Sequence, residues 1–293
     1  MELARPRWEV KDVVFGRRPE RAAKVRFEGV WAAGPLAGLA RPTVAVVGTR
    51  APSDAARARA QVLGEALSRA GVCVISGLAL GIDGAAHLGA LAGGTPTVGV
   101  LGGGHRCFFP RRNRDLAASI VAAGGAVLSP FAPDEPARPW QFLQRNGIVA
   151  SLADAVVVVE AAERSGALNT AGWAADLGIE VLAYPGDVDR PKAAGCNALI
   201  RDGATLVRGP DDVLEAIGLA RRGAATRAGG AAGPGAYSPV ERRILERLAS
   251  GPSDFDGVAA TAGVPVGDVS AALVTLEIAG TIRRESGTTY ALA

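Results

Sequence analysis

The stretch "VVGTRAPS", residues 46–53, ends a β-branched run in a glycine turn and delivers an arginine. Gly48 permits close approach of backbone to an anion, amides at the start of a following helix point outward, and Arg50 adds a bidentate fork. The chemistry implied is capture of an anion by Gly48, Thr49, Arg50 and Ser53. A free nucleotide, a cofactor pyrophosphate and the backbone of a nucleic acid all fit that description.

Other unusual stretches narrow the choice. "GLALGIDGAAH" supplies Gly77, Ala79, Gly81 and Gly84, yet it does not match G-x-G-x-x-G, and no acidic residue follows at the spacing a ribose contact needs. Gly102, Gly103 and Gly104 lack that pattern as well, Gly103 being kept as a candidate binding residue, and no G-x-x-x-x-G-K-[ST] occurs. Neither a dinucleotide cofactor nor ATP is therefore indicated, and no cofactor is expected. Asp83 reads either as a catalytic group or as a cap or brace of its loop. His87 lies in an alanine-rich helical stretch, where packing is its natural role, and His105 is too isolated to complete a metal site with it.

"GGGHRCFFPRRNR" sets Arg106, Arg111, Arg112 and Arg114 beside Phe108 and Phe109. Basic residues interleaved with aromatics suit single-stranded nucleic acid, arginines following phosphates and rings stacking on bases. The same stretch also reads as core phenylalanines next to a solvated arginine face, and taken alone it does not decide. "PWQFLQRNG" repeats the theme with Trp140, Phe142, Arg145 and Asn146. "ERSGALNT" places Ser165, Gly166, Asn169 and Thr170 at a helix start, a further group of anion donors. Ser165 has no G-x-S-x-G elbow and no histidine placed as its base, so it is a poor nucleophile. Donors abound while acid–base candidates are few; no catalytic residue is assigned, and the pattern is one of binding.

These stretches need a scaffold that brings them to one place. From residue 42 to 218, runs such as "TVAVVG", "GVCVISG", "TVGVLGGG", "AVLS", "DAVVVVE", "EVLAYPG" and a weak "ATLV" alternate with amphipathic segments. Continuous apolar runs indicate strands covered on both faces, and the alternation indicates right-handed βαβ units. The expected fold class is α/β, a doubly wound parallel (extended Rossmann) sheet with a small C-terminal winged-helix domain. Ligands of such sheets bind beyond the carboxyl ends of the strands, where the glycine- and arginine-rich loops fall.

The expected boundaries are an N-terminal extension over 1–40, the Rossmann-like domain over 41–218, a Gly/Ala/Pro linker over 219–236, and the winged helix over 237–293. In the last, Ser238 is a plausible N-cap with Pro239 at N1, and "TIRRESGTTYALA" reads as a hairpin turning at Ser286-Gly287. The winged-helix segment carries five arginines against seven acidic residues. The chain has 293 residues and a net charge of +3, so no whole-protein field announces a nucleic acid. Its basic residues are nearly all arginine, the better phosphate fork. Cys73, Cys107 and Cys196 show no C-x-x-C spacing, which speaks against a disulfide framework or zinc. No apolar run reaches the roughly 18 residues of a membrane span, and "MELARPRWEV" lacks the core of a signal peptide. A cytoplasmic protein without a membrane partner is expected.

With the loops assembled, the chain resembles the DNA-processing protein A (DprA, or Smf) family. The resemblance rests on "VAVVGTRAPS", "GLALGIDGAAHLGAL", "VLGGGHRCFFPRRNRDL", "QRNGIVASLADAVVVVEAAERSGALNTA", "PGDVD" and "GCNALIRDGA" in that order. It implies a non-enzymatic protein that binds and protects single-stranded DNA and helps load RecA recombinase during natural transformation. It places Gly48, Thr49, Arg50 and the "GLALG" glycines in the DNA pocket, and matches Arg145, Asn146, Ser165, Gly166 and Thr170 to family positions. Ser129-Pro130 stands where the family has Ser-Glu, and Gly147 follows Arg145-Asn146 where the family has a second arginine; Arg111 or Arg138 would have to compensate. The family's helical domain ahead of the Rossmann unit is expected to be absent or much reduced.

The resemblance also implies a two-fold homodimer through the last edge of the sheet, where Leu199, Ile200 and Leu206 fall, with RecA engaging an overlapping surface. The alternative is that the N-terminal segment covers this edge. Two other functions compete with DNA protection. One is a Rossmann-type nucleoside-monophosphate phosphoribohydrolase, disfavoured because "SGALNTAGWAAD" has no glutamate after it; the other is a transcription factor reading DNA through the winged helix.

Overall fold

The apolar runs read from the sequence are buried strands. The computed structural model describes residues 8–9, 21, 29–219, 237–278, 280–286 and 288–292. Two strands, β1 (Trp8–Glu9) and β2 (Gly29–Ala33), come first. Then follow β3 (Thr43–Val47), β4 (Cys73–Ser76), β5 (Val98–Val100), β6 (Ala126–Ser129), β7 (Ala155–Val158), β8 (Glu180–Ala183) and β9 (Thr205–Leu206). Their order across the sheet is β1-β2-β6-β5-β4-β3-β7-β8-β9. From β6 to β9 every pair is parallel; β2 joins β6 antiparallel, and β1 joins β2 antiparallel. The doubly wound parallel sheet thus gains an antiparallel margin.

Helices α1 (Asp54–Arg69), α2 (Ile82–Gly93), α3 (Arg114–Ala122), α4 (Pro139–Ser151), α5 (Gly166–Asp176) and α6 (Ala194–Arg201) make the crossovers, and α7 (Pro210–Ala216) follows β9. Residue alternation on β3 shows why both faces need cover. Val44 and Val46 pack with Leu63 and Leu67 of α1 and Ile82 and Ala86 of α2. Ala45 and Val47 belong to the opposite layer, with Ile148 and Val149 of α4 and Ala167 and Ala171 of α5. Each fully buried Val, Leu or Ile contributes roughly 1.5–3 kcal/mol, so the parallel strands are held from both sides.

Two expectations for the margins need correction. The N-terminal strands extend the sheet beyond β6, at the edge opposite β9, so among the described residues they do not cover the last edge. "CNALIRDGATLV" is a helix followed by a two-residue strand: Leu199 and Ile200 lie on α6, partly buried against the core, while Leu206 on β9 is 43% exposed.

The chain divides into two compact units, residues 1–220 and 221–293. Most of the expected 219–236 linker lies outside the described residues. The second unit holds α8 (Pro239–Ala249), β10 (Ser253–Asp254), α9 (Phe255–Ala262), α10 (Val266–Ile278), β11 (Ile282–Ser286) and β12 (Thr289–Leu292), its sheet ordered β10-β12-β11. Ser238 caps α8 in a capping box, its Oγ accepting from Glu241 N while its own N donates to the Glu241 carboxylate. Ile244, Leu248, Val269, Leu273, Ile282 and Tyr290 form its core. The hairpin pairs Ile282 with Leu292 and Arg284 with Tyr290, while Gly287 of its expected turn lies outside the described residues. Among the described residues no single helix is long and apolar enough to cross a membrane.

Candidate functional site

β3 and β7 are neighbours paired from Val44 with Ala155 to Val47 with Val158, and the chain winds outward from them in opposite directions. Such a switch point leaves a crevice beyond the strand ends. A cleft of about 280 Å³ occupies it. Among its lining residues are Gly48, Thr49, Arg50, Gly77, Ala79, Phe142, Arg145, Asn146, Ser165, Gly166 and Thr170. Segments far apart in sequence therefore meet in one place. The volume is close to the lower end of the roughly 300–1,000 Å³ of pockets that engulf a drug-sized ligand.

The turn after β3 is held by its neighbours. Thr49 N donates to Glu160 O across the switch point at 2.7 Å, and Ile82 N donates to Thr49 O at 3.2 Å. Gly81 has φ +84, and a Cβ there would stand 2.4 Å from Thr49 O, so the left-handed conformation and the close approach both demand glycine. Ser53, read from the sequence as a ligand, is the N-cap of α1 instead. Its Oγ accepts from Ala56 N at 3.2 Å and donates to the Glu160 carboxylate at 2.7 Å, while its N donates to the same carboxylate at 2.8 Å. Glu160, which the sequence reading passed over, ends the "AVVVVE" run and locks the start of α1.

Arg145, expected among the DNA-binding residues, lines the cleft from a buried position. It is 3% exposed, and its Nη1 donates to the carbonyls of Gly77 and Val100, tying the ends of β4 and β5 together. Asp83 Oδ2 accepts from Gly77 N at 3.0 Å and Ala79 N at 3.4 Å, which makes it the brace of the "GLALG" loop. Burial pushes the Asp83 carboxyl up, against the opposing charge of Arg145. Burial lowers Arg145 to about 10; Asp83 counters this, and the nearby Arg50 charge adds to it. Two guanidinium groups facing one carboxylate leave the cleft electropositive.

Arg50 is the exposed member of that pair. Its guanidinium carbon lies 5.3 Å from the centroid of the Phe142 ring, and that of Arg145 lies 5.8 Å away. Such contacts steer a guanidinium without neutralising it. At the opposite wall Ser165 caps α5, its Oγ accepting from Ala167 N at 3.3 Å. Asn146 Nδ2 donates to Gly166 O and to Asn169 Oδ1, each at 3.2 Å, so these two asparagines fix α4 to the start of α5. The start of α5 lines the cleft, so the positive end of its dipole favours an anion there.

Other expected ligands stand outside the cleft. Gly103 packs on Ala137. Arg106 is paired with Asp134 at 2.6 Å on the surface. Arg111 is exposed on a one-turn helix, Arg111–Asn113. Trp140 is 48% exposed and meets Phe131 edge-on at 6.2 Å. In the same helical turn, Asn113 Nδ2 donates to the carbonyls of Leu78 (3.0 Å) and Ala79 (2.9 Å), holding Leu78 at φ +53. No sequence signal separated that asparagine from the arginines around it. His87 is fully buried with Nδ1 2.9 Å from Thr97 Oγ1, the packing role expected. Among the described residues no group of three His, Cys, Asp or Glu is placed to hold a metal ion.

This arrangement matches a known family. The family model described as DNA recombination-mediator protein A covers residues 22–218, and one described as DprA winged helix domain covers 228–288. The chain belongs to the DprA family. It is 37% identical to Protein Smf of Escherichia coli over 92% of this chain and 73% of that protein. It is 41% identical to a putative DNA processing protein DprA of Mycobacterium tuberculosis over 86% of this chain, spanning 65% of that relative's length. The crystal structure of DprA from Streptococcus pneumoniae superposes with a TM-score of 0.65 at 34% identity, covering 72% of this chain and 73% of that one. DNA processing protein A of Helicobacter pylori, described with a single-stranded DNA binding mode, shares the fold at a TM-score of 0.61 and 23% identity, over 73% of this chain and 94% of that one. DNA processing and recombination mediation are thus this DprA's functional class.

Proposed function

We propose that the switch-point cleft binds single-stranded DNA without sequence preference, and that this DprA protects such strands and helps load RecA onto them in natural transformation. The observation that carries the reading is the exposed Arg50 guanidinium on the face of Phe142, at the mouth of a cleft whose lining includes the hydroxyl residues Thr49, Ser165 and Thr170. Phosphates need such donors, and unpaired bases need rings. The resemblance to the Helicobacter protein supports the same ligand. The protein acts in the cytoplasm as a homodimer joined through the β9 edge, which carries the exposed Leu206.

The reading is non-enzymatic. Among the residues lining the cleft Asp83 is the carboxylate, and it is engaged with backbone amides rather than directed at a sugar. A titration of the full chain with single- and double-stranded oligonucleotides, with nucleoside-monophosphate hydrolysis assayed on the same sample, tests this. Tighter single-strand binding without hydrolysis is expected. Release of free base from a nucleoside monophosphate would transfer the cleft to the phosphoribohydrolase class.

A further inference from the structure

Phe109 is a large aromatic residue that the fold does not bury. Its neighbour Phe108 is 7% exposed and packs in the core under α3, whereas Phe109 is 53% exposed. Its ring meets Phe142 edge-on, centroids 6.0 Å apart and planes at 64°. Phe142 in turn carries the Arg50 guanidinium at 5.3 Å. A continuous series therefore runs from the cation in the cleft, over a half-buried ring, to a ring with its surface in solvent. Arg111 and Arg112 follow after Pro110 and are exposed. Leu143, also on the cleft wall, is 51% exposed, so the mouth is apolar as well as cationic. Clustered exposed apolar groups at a mouth of this kind mark a contact surface.

We propose that Phe109 is a base-stacking residue: it takes an unpaired base of the nucleotide whose phosphate lies at Arg50, or of its neighbour, and thereby sets the preference for single over double strands. This rests on the reading of the cleft as a single-stranded DNA site. Every base offers a π-face, so stacking is tolerant of sequence. In a duplex that face is occupied by the adjacent pairs, and a ring outside the cleft cannot reach it without unstacking. Arg50 alone would hold a phosphate of either form; Phe109 supplies the discrimination.

The test is an anisotropy titration of the full chain against oligo-dT, a fully abasic strand of the same length and a duplex, using wild type, Phe109→Ala, Phe109→Leu, Phe109→Trp and Arg50→Ala. Phe109→Ala is expected to lose about tenfold in affinity for oligo-dT, with an unchanged melting temperature and unchanged duplex binding. Phe109→Trp retains affinity, Phe109→Leu does not, and the wild type and Phe109→Ala bind the abasic strand equally. Full affinity in Phe109→Ala or Phe109→Leu would overturn the stacking role, as would a loss on the abasic strand as large as that on oligo-dT. If Arg50→Ala still loses affinity in that case, the cleft reading stands without Phe109; if the wild type binds none of the strands, the cleft reading itself fails.

Discussion

Arg145 and Asp83 meet across Gly77: a Cβ on that glycine would stand 2.5 Å from Arg145 Nη1 and 2.7 Å from Asp83 Oδ2. The pair lines the cleft and fixes the ends of β4 and β5. Removing one member of such a buried pair leaves the other charge without compensation, a loss of roughly 3–5 kcal/mol. Arg145→Met is therefore expected to lower stability by about that amount in chemical denaturation. Adding Asp83→Asn should recover part of the loss, because the two sites couple. A variant of wild-type stability with weakened DNA binding would make Arg145 a ligand after all.

Burial lowers His87 to about 3 from its ordinary 6.5. Thr97 Oγ1 already donates to Val74 O at 2.6 Å, so its lone pair accepts from His87 Nδ1 and the ring is held neutral. Below pH 6.5 the unfolded chain takes up a proton that the folded one refuses. The His87 contribution to stability is complete above pH 6.5 and is lost progressively as pH falls toward about 3. His87→Gln should flatten the dependence of melting temperature on pH across that window, whatever it does to stability at pH 7. An unchanged slope would mean that the ring titrates freely.

At the far edge of the sheet, Leu206 is exposed while Leu199 and Ile200 are tied to the core. Leu206→Glu is thus the cleaner probe of the proposed dimer, and a two-fold axis would use the charge twice. Light scattering should show a folded monomer. A dimer of unchanged mass would place the interface elsewhere.

In the winged-helix unit, α10 bears Val266, Asp268 and Val274 on its exposed positions and no lysine or arginine. A helix reading DNA needs donors for base edges and phosphates. A chain ending at residue 219 is accordingly expected to keep its affinity for single strands. Loss of most of that affinity would assign the second unit a share of the binding.

The parallel strands were legible because Val, Ile and Ala runs covered on both faces leave a strong mark, as in "TVAVV" and "AVVVV". Helix α6 was not, since eight residues opening on Ala-Gly-Cys-Asn carry too little periodicity. β1 and β2 were equally faint, the first being two residues long and both lying ahead of the repeating pattern. Within the site, the glycine turn and Arg50 were readable from local spacing. Arg145 and Ser53 carry the same residue types as ligands, and only tertiary partners distant in sequence turn them into a brace and a cap. Glu160 and Asn113 became visible for the same reason, through partners that the chain brings to them from 107 and 35 residues away.

The central claim is that Arg50 holds a phosphate of single-stranded DNA in the switch-point cleft. Its most direct measurement is the affinity of wild type and Arg50→Ala for oligo-dT across a series of salt concentrations. Wild-type log K should fall linearly with log salt by about 0.7 for each phosphate contacted, and Arg50→Ala should bind more weakly with a slope shallower by about 0.7, at an unchanged melting temperature. An affinity indifferent to salt, or an Arg50→Ala variant that matches the wild type in both affinity and slope, would contradict it.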